Sequence, residues 1–502
     1  MRWNRRQVLA SGAGLSVLFA LAACGNGGSA GGPAQRGGTL RVGALGTSAR
    51  TERDPHGNLS NDSDFLIASL LYDPLTVPGA DPTVVPRLAR SWESDPEHRR
   101  WTFTLAENAT FHDGTPVTAD DVVWSLRRLR TVAGAAKLPV AAEAITADGP
   151  NRVLLTVEEP NSELPLLVRL MTFTVKRDTT DFTAAIGTGP FRLASRDGGT
   201  TRLVRNDGWY GGAPLLDAIE VTAFESTTAL GNAVLAGQID LASNAGAIAG
   251  RTAAGRPDLQ VVRRANDTML GLAVRTSDGP FADPRVRAAL RLGVDRGALV
   301  DQVHSGYGTV ANDVLGTGDP RYDRALPQRS RDLDRARALL REANFDTGAR
   351  YPLVTKAEAP GEVESARVLA TQLAEIGLKL DVVTEESGVF YDRSWLRAPL
   401  YTVSWGTNDS VLFYARTLLA SGSNRNETAF RDAEFDAATA RALAAPDDAD
   451  AIRTLQRIEY DRGGYLVWGM ADGIDVAAAT VRDLPTLGGY ARVQLERTWL
   501  AG

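Results

Sequence analysis

Histidine and cysteine, the side chains that most often perform acid–base, nucleophilic or metal chemistry, are scarce in this sequence. Its 502 residues include four histidines, at positions 56, 98, 112 and 304, and one cysteine, Cys24. A single cysteine excludes an intramolecular disulfide and any zinc site built on several cysteines. Neither a P-loop nor an H-E-x-x-H motif occurs. We therefore expect no catalytic residue, no metal and no cofactor.

The acidic residues give no clearer sign of catalysis. His112-Asp113 could be part of a triad, but no positioned nucleophile accompanies it, and the following Gly favours a turn. Pairs such as Asp120-Asp121 are adjacent, so their side chains point apart on a helix or strand. We expect most of these acids to be solvated, and Asp120-Asp121 to lie in the first turn of a helix, where the helix dipole favours acids.

Aromatic residues are concentrated in one segment, 389–414. Its rings are Phe390, Tyr391, Trp395, Tyr401, Trp405, Phe413 and Tyr414. An aromatic ring supplies apolar area to a binding site, but most aromatic residues at such spacing belong to a core. We expect a core position for Tyr401, Phe413 and Tyr414.

Trp405 has a different setting, because a small residue and a polar loop follow it. A strand that ends in Ser-Trp-Gly, followed by Thr-Asn-Asp, is typical of a ligand wall: the ring gives contact area, Gly allows close backbone approach, and Asn and Asp supply directional hydrogen bonds. The predicted ligand-binding residues are Phe390, Tyr391, Ser404, Trp405, Gly406, Thr407, Asn408 and Asp409. A core position for Trp405 is the alternative.

The N-terminal segment predicts export. Three arginines precede an apolar stretch that is too short and interrupted for a membrane span, which is typical of a secretory signal peptide over residues 1–23. Leu21-Ala22-Ala23-Cys24-Gly25 resembles a lipobox, so we expect Cys24 to carry a lipid and to begin the mature chain. The signal also resembles a twin-arginine signal, and the export route stays open. Residues 24–38 are rich in Gly, Ser and Ala and predict a flexible tether.

Composition predicts a large, acidic, globular body. Hydrophobic residues make up 43% and charged residues 23%, and the length suggests about three structural units. The net charge is −6, and removal of the signal peptide makes it −9. This balance disfavours nucleic-acid binding, which needs a basic surface.

Local patterns place helices and strands alternately along the chain. Thr118 with Asp121 three residues later predicts a capped helix to Leu129, and Asp283-Pro284 is a favoured helix start. A helix over 363–376 ends at Gly377 and is followed by an alternating strand. This succession of elements indicates an α/β fold.

Several motifs together resemble the extracellular solute-binding proteins of family 5, the dipeptide, oligopeptide and nickel class that feeds ABC importers. The resemblance covers essentially residues 37–502. The motifs that carry it are Pro86-Arg87-Leu88-Ala89-Arg90-Ser91-Trp92, Trp101 to Leu105, Phe111-His112-Asp113-Gly114-Thr115-Pro116-Val117-Thr118-Ala119-Asp120-Asp121-Val122, Gly187 to Phe191, Leu235 to Asp240, and Pro280 to Leu290.

The resemblance implies a two-lobed periplasmic-binding-protein-like fold of type II, with an extra domain inserted in the first lobe. The implied boundaries are lobe I at 39–51, 187–267 and 482–502, the inserted domain at 52–186, and lobe II at 268–481. It also implies that the lobes close around a solute by hinge motion and that the importer's membrane subunits receive it.

We therefore expect a monomeric, lipid-anchored binding protein on the outer face of the cell membrane, with a peptide or another polar solute as ligand. In peptide-binding members an Asp shortly after a Trp pairs with the peptide's ammonium; here Asn408 is the third residue after Trp405, and Asp409 follows. Asp409 takes that role, or the ammonium partner is missing. Amino-acid derivatives, sugars and metal chelates stay open as ligands. An extracellular hydrolase and a lipid-anchored sensor or adhesion module are the alternative functions.

Overall fold

The structure of the protein is a computed structural model, and residues from Gln35 onward form one compact unit. The described residues are 33–46, 54–57, 59, 61–79, 83–131, 138–169, 172–356, 361–406, 410–489 and 493–502. The predicted signal peptide, Cys24 and residues 24–32 of the predicted tether lie outside them.

The chain alternates strands and helices over most of its length. The strands are β1 (Thr39–Leu45), β2 (Thr76–Pro78), β3 (Val84–Pro86), β4 (Ala89–Ser94), β5 (Arg100–Leu105), β6 (Ile145–Ala147), β7 (Arg152–Thr156), β8 (Phe191–Asp197), β9 (Thr200–Arg205), β10 (Ala218–Phe224), β11 (Leu241–Ala242), β12 (Leu259–Val274), β13 (Gly308–Val310), β14 (Arg350–Lys356), β15 (Lys379–Glu385), β16 (Leu400–Gly406), β17 (Tyr465–Ala478), β18 (Val481–Arg482) and β19 (Trp499–Leu500).

The helices lie between and over these strands. They are α1 (Asp62–Leu71), α2 (Ala119–Leu129), α3 (Leu164–Leu167), α4 (Thr227–Leu235), α5 (Gly246–Ala253), α6 (Pro284–Gly293), α7 (Arg296–His304), α8 (Leu333–Glu342), α9 (Glu362–Ala374), α10 (Ser387–Val389), α11 (Val411–Tyr414), α12 (Ala433–Ala444) and α13 (Ala449–Arg462). A 3-10 turn lies at Ala142–Ala144, and π-helical turns lie at Phe390–Ser394 and Ala415–Leu419.

An eleven-stranded mixed sheet runs through the described residues, in the order β15-β14-β16-β12-β17-β11-β1-β10-β9-β8, with β13 beside β17. In one half, β1 is parallel to β10 and β11. In the other half, β14 is parallel to β15 and β16. A separate four-stranded sheet, β4-β5-β7-β6, belongs to the segment that the sequence predicts as an inserted domain.

The long antiparallel strands β12 and β17 belong to both halves of the main sheet. Leu259 to Arg264 pair with Ala478 to Gly473, and pairing resumes only where Thr268 meets Ala471. Residues 265–267 therefore interrupt the ladder, and Asn266 has a left-handed backbone with φ of 52°. The predicted boundary between lobe I and lobe II, at 267/268, falls in this interruption.

Buried ionic contacts surround the interruption. Arg264 is fully buried and donates to the carboxylate of Asp475, and its Nε lies 3.5 Å from Asp267. The Asn266 backbone N–H donates to Asp472 at 3.0 Å. Asp472 thus supplies a partner for the Asn266 backbone N–H where the strand ladder is interrupted.

Two helix starts occur where local residues predict them. Thr118 and Asp121 form a capping box at α2, and Asp283 caps α6 with Pro284 in its first turn. The expectation of solvation is wrong for Asp121, whose exposed fraction is 8%. One of its carboxylate oxygens accepts hydrogen bonds from Thr118 and the other accepts the backbone N–H of Arg177, so its burial is compensated.

Apolar clusters lie on both faces of the sheet. Helices α6, α8 and α9 pack their buried leucines and valines against one face of the second half. On the opposite face, Val403 and Leu412 belong to the same cluster as Phe103 and Leu155 of the four-stranded sheet. The predicted inserted segment thus shares apolar packing with the second half of the main sheet.

Glu459 on α13 provides a test of this buried packing. Its exposed fraction is 2%, its carboxyl accepts the Leu315 backbone N–H at 3.0 Å, and burial raises its pKa to about 8. An exposed glutamate ionises near ~4.3. Between these values the folded state holds a proton that the unfolded state has released, so stability falls as the pH rises.

We predict that Glu459→Gln flattens the pH dependence of the melting temperature between pH ~4.5 and ~8, since glutamine keeps the acceptor for Leu315 and has no proton to lose. Thermal unfolding followed by circular dichroism measures this. Glu97→Gln, at an exposed position, is the control and should follow the wild type. Parallel profiles for Glu459→Gln and the wild type would contradict the assignment.

Candidate functional site

Three parallel strands end at one edge of the second half of the sheet. β14 ends at Lys356, β15 at Glu385 and β16 at Gly406, and β14 is parallel to the other two. Helix α9 begins beyond β14, at Glu362. Ligands of open α/β sheets bind in the crevice outside the carboxyl ends of such strands.

A buried ion pair lies at this edge. The Lys356 ammonium is 2.9 Å from a Glu362 carboxylate oxygen, and both side chains are at least nine-tenths buried. Thr402 and Ser404 of β16 donate to the same carboxylate at 2.6 and 2.7 Å. Burial lowers the pKa of Lys356, but Glu362 outweighs this effect, so the pKa lies above the ordinary lysine value. Lys356 is therefore charged at neutral pH, and the hydrogen bonds of Glu362 tie α9 to β16.

A second buried carboxylate, Glu427, holds Trp405. It accepts hydrogen bonds from the indole N–H of Trp395 at 2.7 Å, from the indole N–H of Trp405 at 3.0 Å and from the Tyr465 hydroxyl at 2.6 Å. Its exposed fraction is 4%. Burial raises the pKa of Glu427, and the three donors act in the opposite direction. One side chain thus fixes both tryptophans.

The predicted wall residues that the structure describes lie around this edge, in different layers. Ser404, Trp405 and Gly406 are half-buried at the end of β16, and Tyr391 is 52% exposed. Phe390 is 1% exposed and packs edge-on against Tyr401, so it supports the wall from behind, where no solute reaches it. Thr407, Asn408 and Asp409 lie outside the described residues.

The prediction of a core position for three other aromatic residues of the segment is confirmed. Tyr401, Phe413 and Tyr414 have exposed fractions of 0%, 4% and 1%. Trp395 was not singled out from the sequence, although it belongs to the same aromatic segment. It is half-buried and its ring lies edge-on to Tyr391, with centroids 5.7 Å apart.

The charged residues of the site have no local sequence signal. Lys356, Glu362 and Glu427 come from three separate segments, and only the strand order brings them together. The aromatic density of 389–414 and the Ser-Trp-Gly strand end are the sequence patterns that point to this region. Within the described residues no group of three or more His, Cys, Asp or Glu could hold a metal ion.

Comparison with known proteins decides the family. A model described as bacterial extracellular solute-binding proteins, family 5, matches residues 83–427, which is more than half of the chain. The chain belongs to this family. Members are transport binding proteins, which confirms the expectation that the protein is not an enzyme.

Characterised relatives cover most of the chain. The nickel-binding periplasmic protein of Escherichia coli K12 is 25% identical over 369 residues, which are 68% of this chain and 70% of the relative. The peptide transport periplasmic protein SapA of Salmonella typhimurium LT2 is 25% identical over 445 residues, 78% of this chain and 79% of the relative. This family-5 protein is thus the substrate-binding component of an ABC importer, and it acts outside the cytoplasm.

The fold is also shared with solved structures. The periplasmic binding protein AgaA of A. tumefaciens R10, in complex with agropinic acid, superposes with a TM-score of 0.81 over 93% of this chain and 99% of that protein, at 21% identity. The prediction of a two-lobed α/β binding-protein fold is confirmed. In the part of the chain that the structure describes, no helix is long and apolar enough to cross a bilayer.

We predict that Trp405→Ala lowers solute affinity by about tenfold or more, since a buried aromatic anchor contributes roughly 2 kcal/mol to binding. Titration calorimetry with a solute that raises the melting temperature measures the affinity, and thermal unfolding measures the stability. Trp468→Ala is the matched control, because Trp468 is fully buried in the core; it should cost about 3–5 kcal/mol of stability. A large loss of stability for Trp405→Ala with unchanged affinity would place Trp405 in the core instead.

Proposed function

We propose that this family-5 protein captures a peptide or a similar polar solute between its two lobes and delivers it to the membrane subunits of an ABC importer. The observation that carries the proposal is the half-exposed Trp405, fixed by Glu427 at the edge where three parallel strands end. A rigid ring beside charged and small residues is suited to bind part of a solute and to orient it.

Hinge closure is the proposed mechanism. β12 and β17 join the two halves of the sheet, and their ladder is interrupted at 265–267. An interrupted ladder absorbs backbone rotation at a few residues, as hinges of two-lobed binding proteins do. We place the boundary of lobes I and II at this interruption, with the inserted domain at 52–186.

Among the relatives compared above, the peptide transport protein SapA supports a peptide, whereas the nickel-binding protein supports a metal chelate. The scarcity of histidine, with four in the chain, disfavours direct binding of a metal ion by histidines. We therefore place peptides first and keep amino-acid derivatives, oligosaccharides and metal chelates as the competing classes. Asp409 and Asn408 follow Trp405 and are the proposed polar contacts of the loop.

We expect a melting-temperature screen over these four classes to give one responding class. A solute present at 100 times its Kd adds roughly 2.7 kcal/mol to the stability of the folded state. Di- to pentapeptides of varied sequence form the first set. No shift with any of them would contradict the peptide assignment, and turnover of any peptide by the pure protein would contradict a binding function.

We also propose a lipid anchor on Cys24 and a monomeric protein held on the outer face of the cell membrane. Cys24→Ser removes the only thiol that a lipid could modify. In cells, the variant should move from the membrane fraction to the soluble extracytoplasmic fraction, while its solute affinity stays unchanged. Continued membrane association of Cys24→Ser, measured by fractionation and immunoblotting, would contradict the anchor.

A further inference from the structure

Glu427 is a buried carboxylate that forms no ion pair with a cation in the described part of the chain. Its three hydrogen-bond donors, Trp395, Trp405 and Tyr465, are all uncharged. Among the described residues no Lys or Arg forms an ion pair with it, whereas Glu362 pairs with Lys356 at 2.9 Å. An indole N–H can only donate, so the geometry fits the ionised carboxylate.

A buried charge without a partner is expensive, because it has lost its hydration and gained no opposite charge. Lys356 acts on Glu427 only at longer range and already compensates Glu362. Buried charged groups without an opposite charge in contact are often found at functional sites. The missing positive charge therefore points to the solute, since Glu427 holds the two tryptophans of the proposed solute-binding wall.

The two indoles present ring surface to the crevice. Both N–H groups point inward to Glu427, so the half-buried parts of Trp395 and Trp405 offer aromatic surface and no donor. Tyr391, 52% exposed, stands edge-on to Trp395 at 5.7 Å. Aromatic faces attract cations, and a carboxylate that accepts an indole N–H makes the ring more electron-rich.

We propose that Trp395, Trp405 and Tyr391, charged from behind by Glu427, form a subsite for a cationic group of the solute: a protonated amine, a quaternary ammonium or a guanidinium. The proposal rests on the proposed function, because it assumes that the solute lies against this wall. Aromatic rings of this region already contact one ammonium, since the Lys356 Nζ lies 4.8 Å from the centroid of Phe390, behind the wall, and 5.8 Å from that of Tyr391.

The test compares two probes of equal shape that differ in charge: choline and its neutral analogue 3,3-dimethyl-1-butanol. The full chain is labelled with 5-fluorotryptophan, and the fluorine signals of Trp395 and Trp405 are assigned with Trp395→Phe and Trp405→Phe. Choline should shift both signals in a saturable manner, with an affinity about tenfold or more above that of the neutral analogue. Methylamine and guanidinium distinguish the three cation types.

Glu427→Gln removes the charge and keeps one of the two acceptor oxygens, with its oxygen placed to accept from Trp405 and Tyr465, so the preference for choline should fall to about twofold or less. Glu459→Gln is the matched control, a buried glutamate on α13 outside the wall, and should keep the preference. If Glu427→Gln fails to fold, the comparison of choline with its neutral analogue on the wild-type protein still tests the proposal. Equal binding of both probes, binding of neither, or an unchanged preference in Glu427→Gln would overturn the proposal.

Failure of this subsite and failure of the proposed function give different results. If a solute raises the melting temperature and loses affinity in Trp405→Ala, yet choline and its analogue bind alike, the wall binds solute and only the charge inference is wrong. If that solute keeps its affinity in Trp405→Ala and the probes bind alike, the wall itself is misplaced and both are wrong.

Discussion

The pairing of β12 with β17 is the constraint on which the rest of this structure depends. These two strands run through both halves of the eleven-stranded sheet. The longest break in the ladder between them covers residues 265–267, beside the buried pair Arg264 and Asp475, and a second register shift follows between Leu270 and Gly271. On one side of the break the sheet continues through β1, and on the other through β14 and β16. The proposed wall lies at the strand ends of the second half. The pairing of β12 with β17 therefore determines where the wall residues lie.

The carboxylates at the proposed wall are bonded to other side chains of the protein. Glu362 is saturated by Lys356, Thr402 and Ser404, and Glu427 by two indoles and a phenol. The side chains are therefore preorganised before a solute arrives, which reduces the entropy lost on binding. In the proposed site, aromatic surface with negative charge behind it remains for the solute. Such a site would suit a protein with one cysteine and four histidines, since binding requires position and charge but no reactive group.

Local sequence patterns were sufficient to predict the helices, the strands and the family, but they did not predict the residues that meet at the site. A capping residue acts on the next three residues, so Thr118 with Asp121, and Asp283 with Pro284, predict the starts of α2 and α6. Glu427, by contrast, meets Trp395, Trp405 and Tyr465 only after four segments have folded together, and its flanking residues resemble an ordinary loop. Phe390 is a second example. The aromatic spacing predicted the region of the site, but it did not predict that Phe390 is buried, because that depends on its T-shaped contact with Tyr401.

The central claim is that two lobes joined by β12 and β17 close around a solute, and a distance between the lobes tests it most directly. In a Cys24→Ser background the chain has no other cysteine, so spin labels at Ile248→Cys on α5 and Val383→Cys on β15 are unique, and both positions are exposed, by 74% and 40%. Pulsed electron paramagnetic resonance measures their distance distribution with and without a solute that raises the melting temperature. The account predicts a shorter and narrower distribution with solute. A stabilising solute that leaves the distribution unchanged would contradict closure.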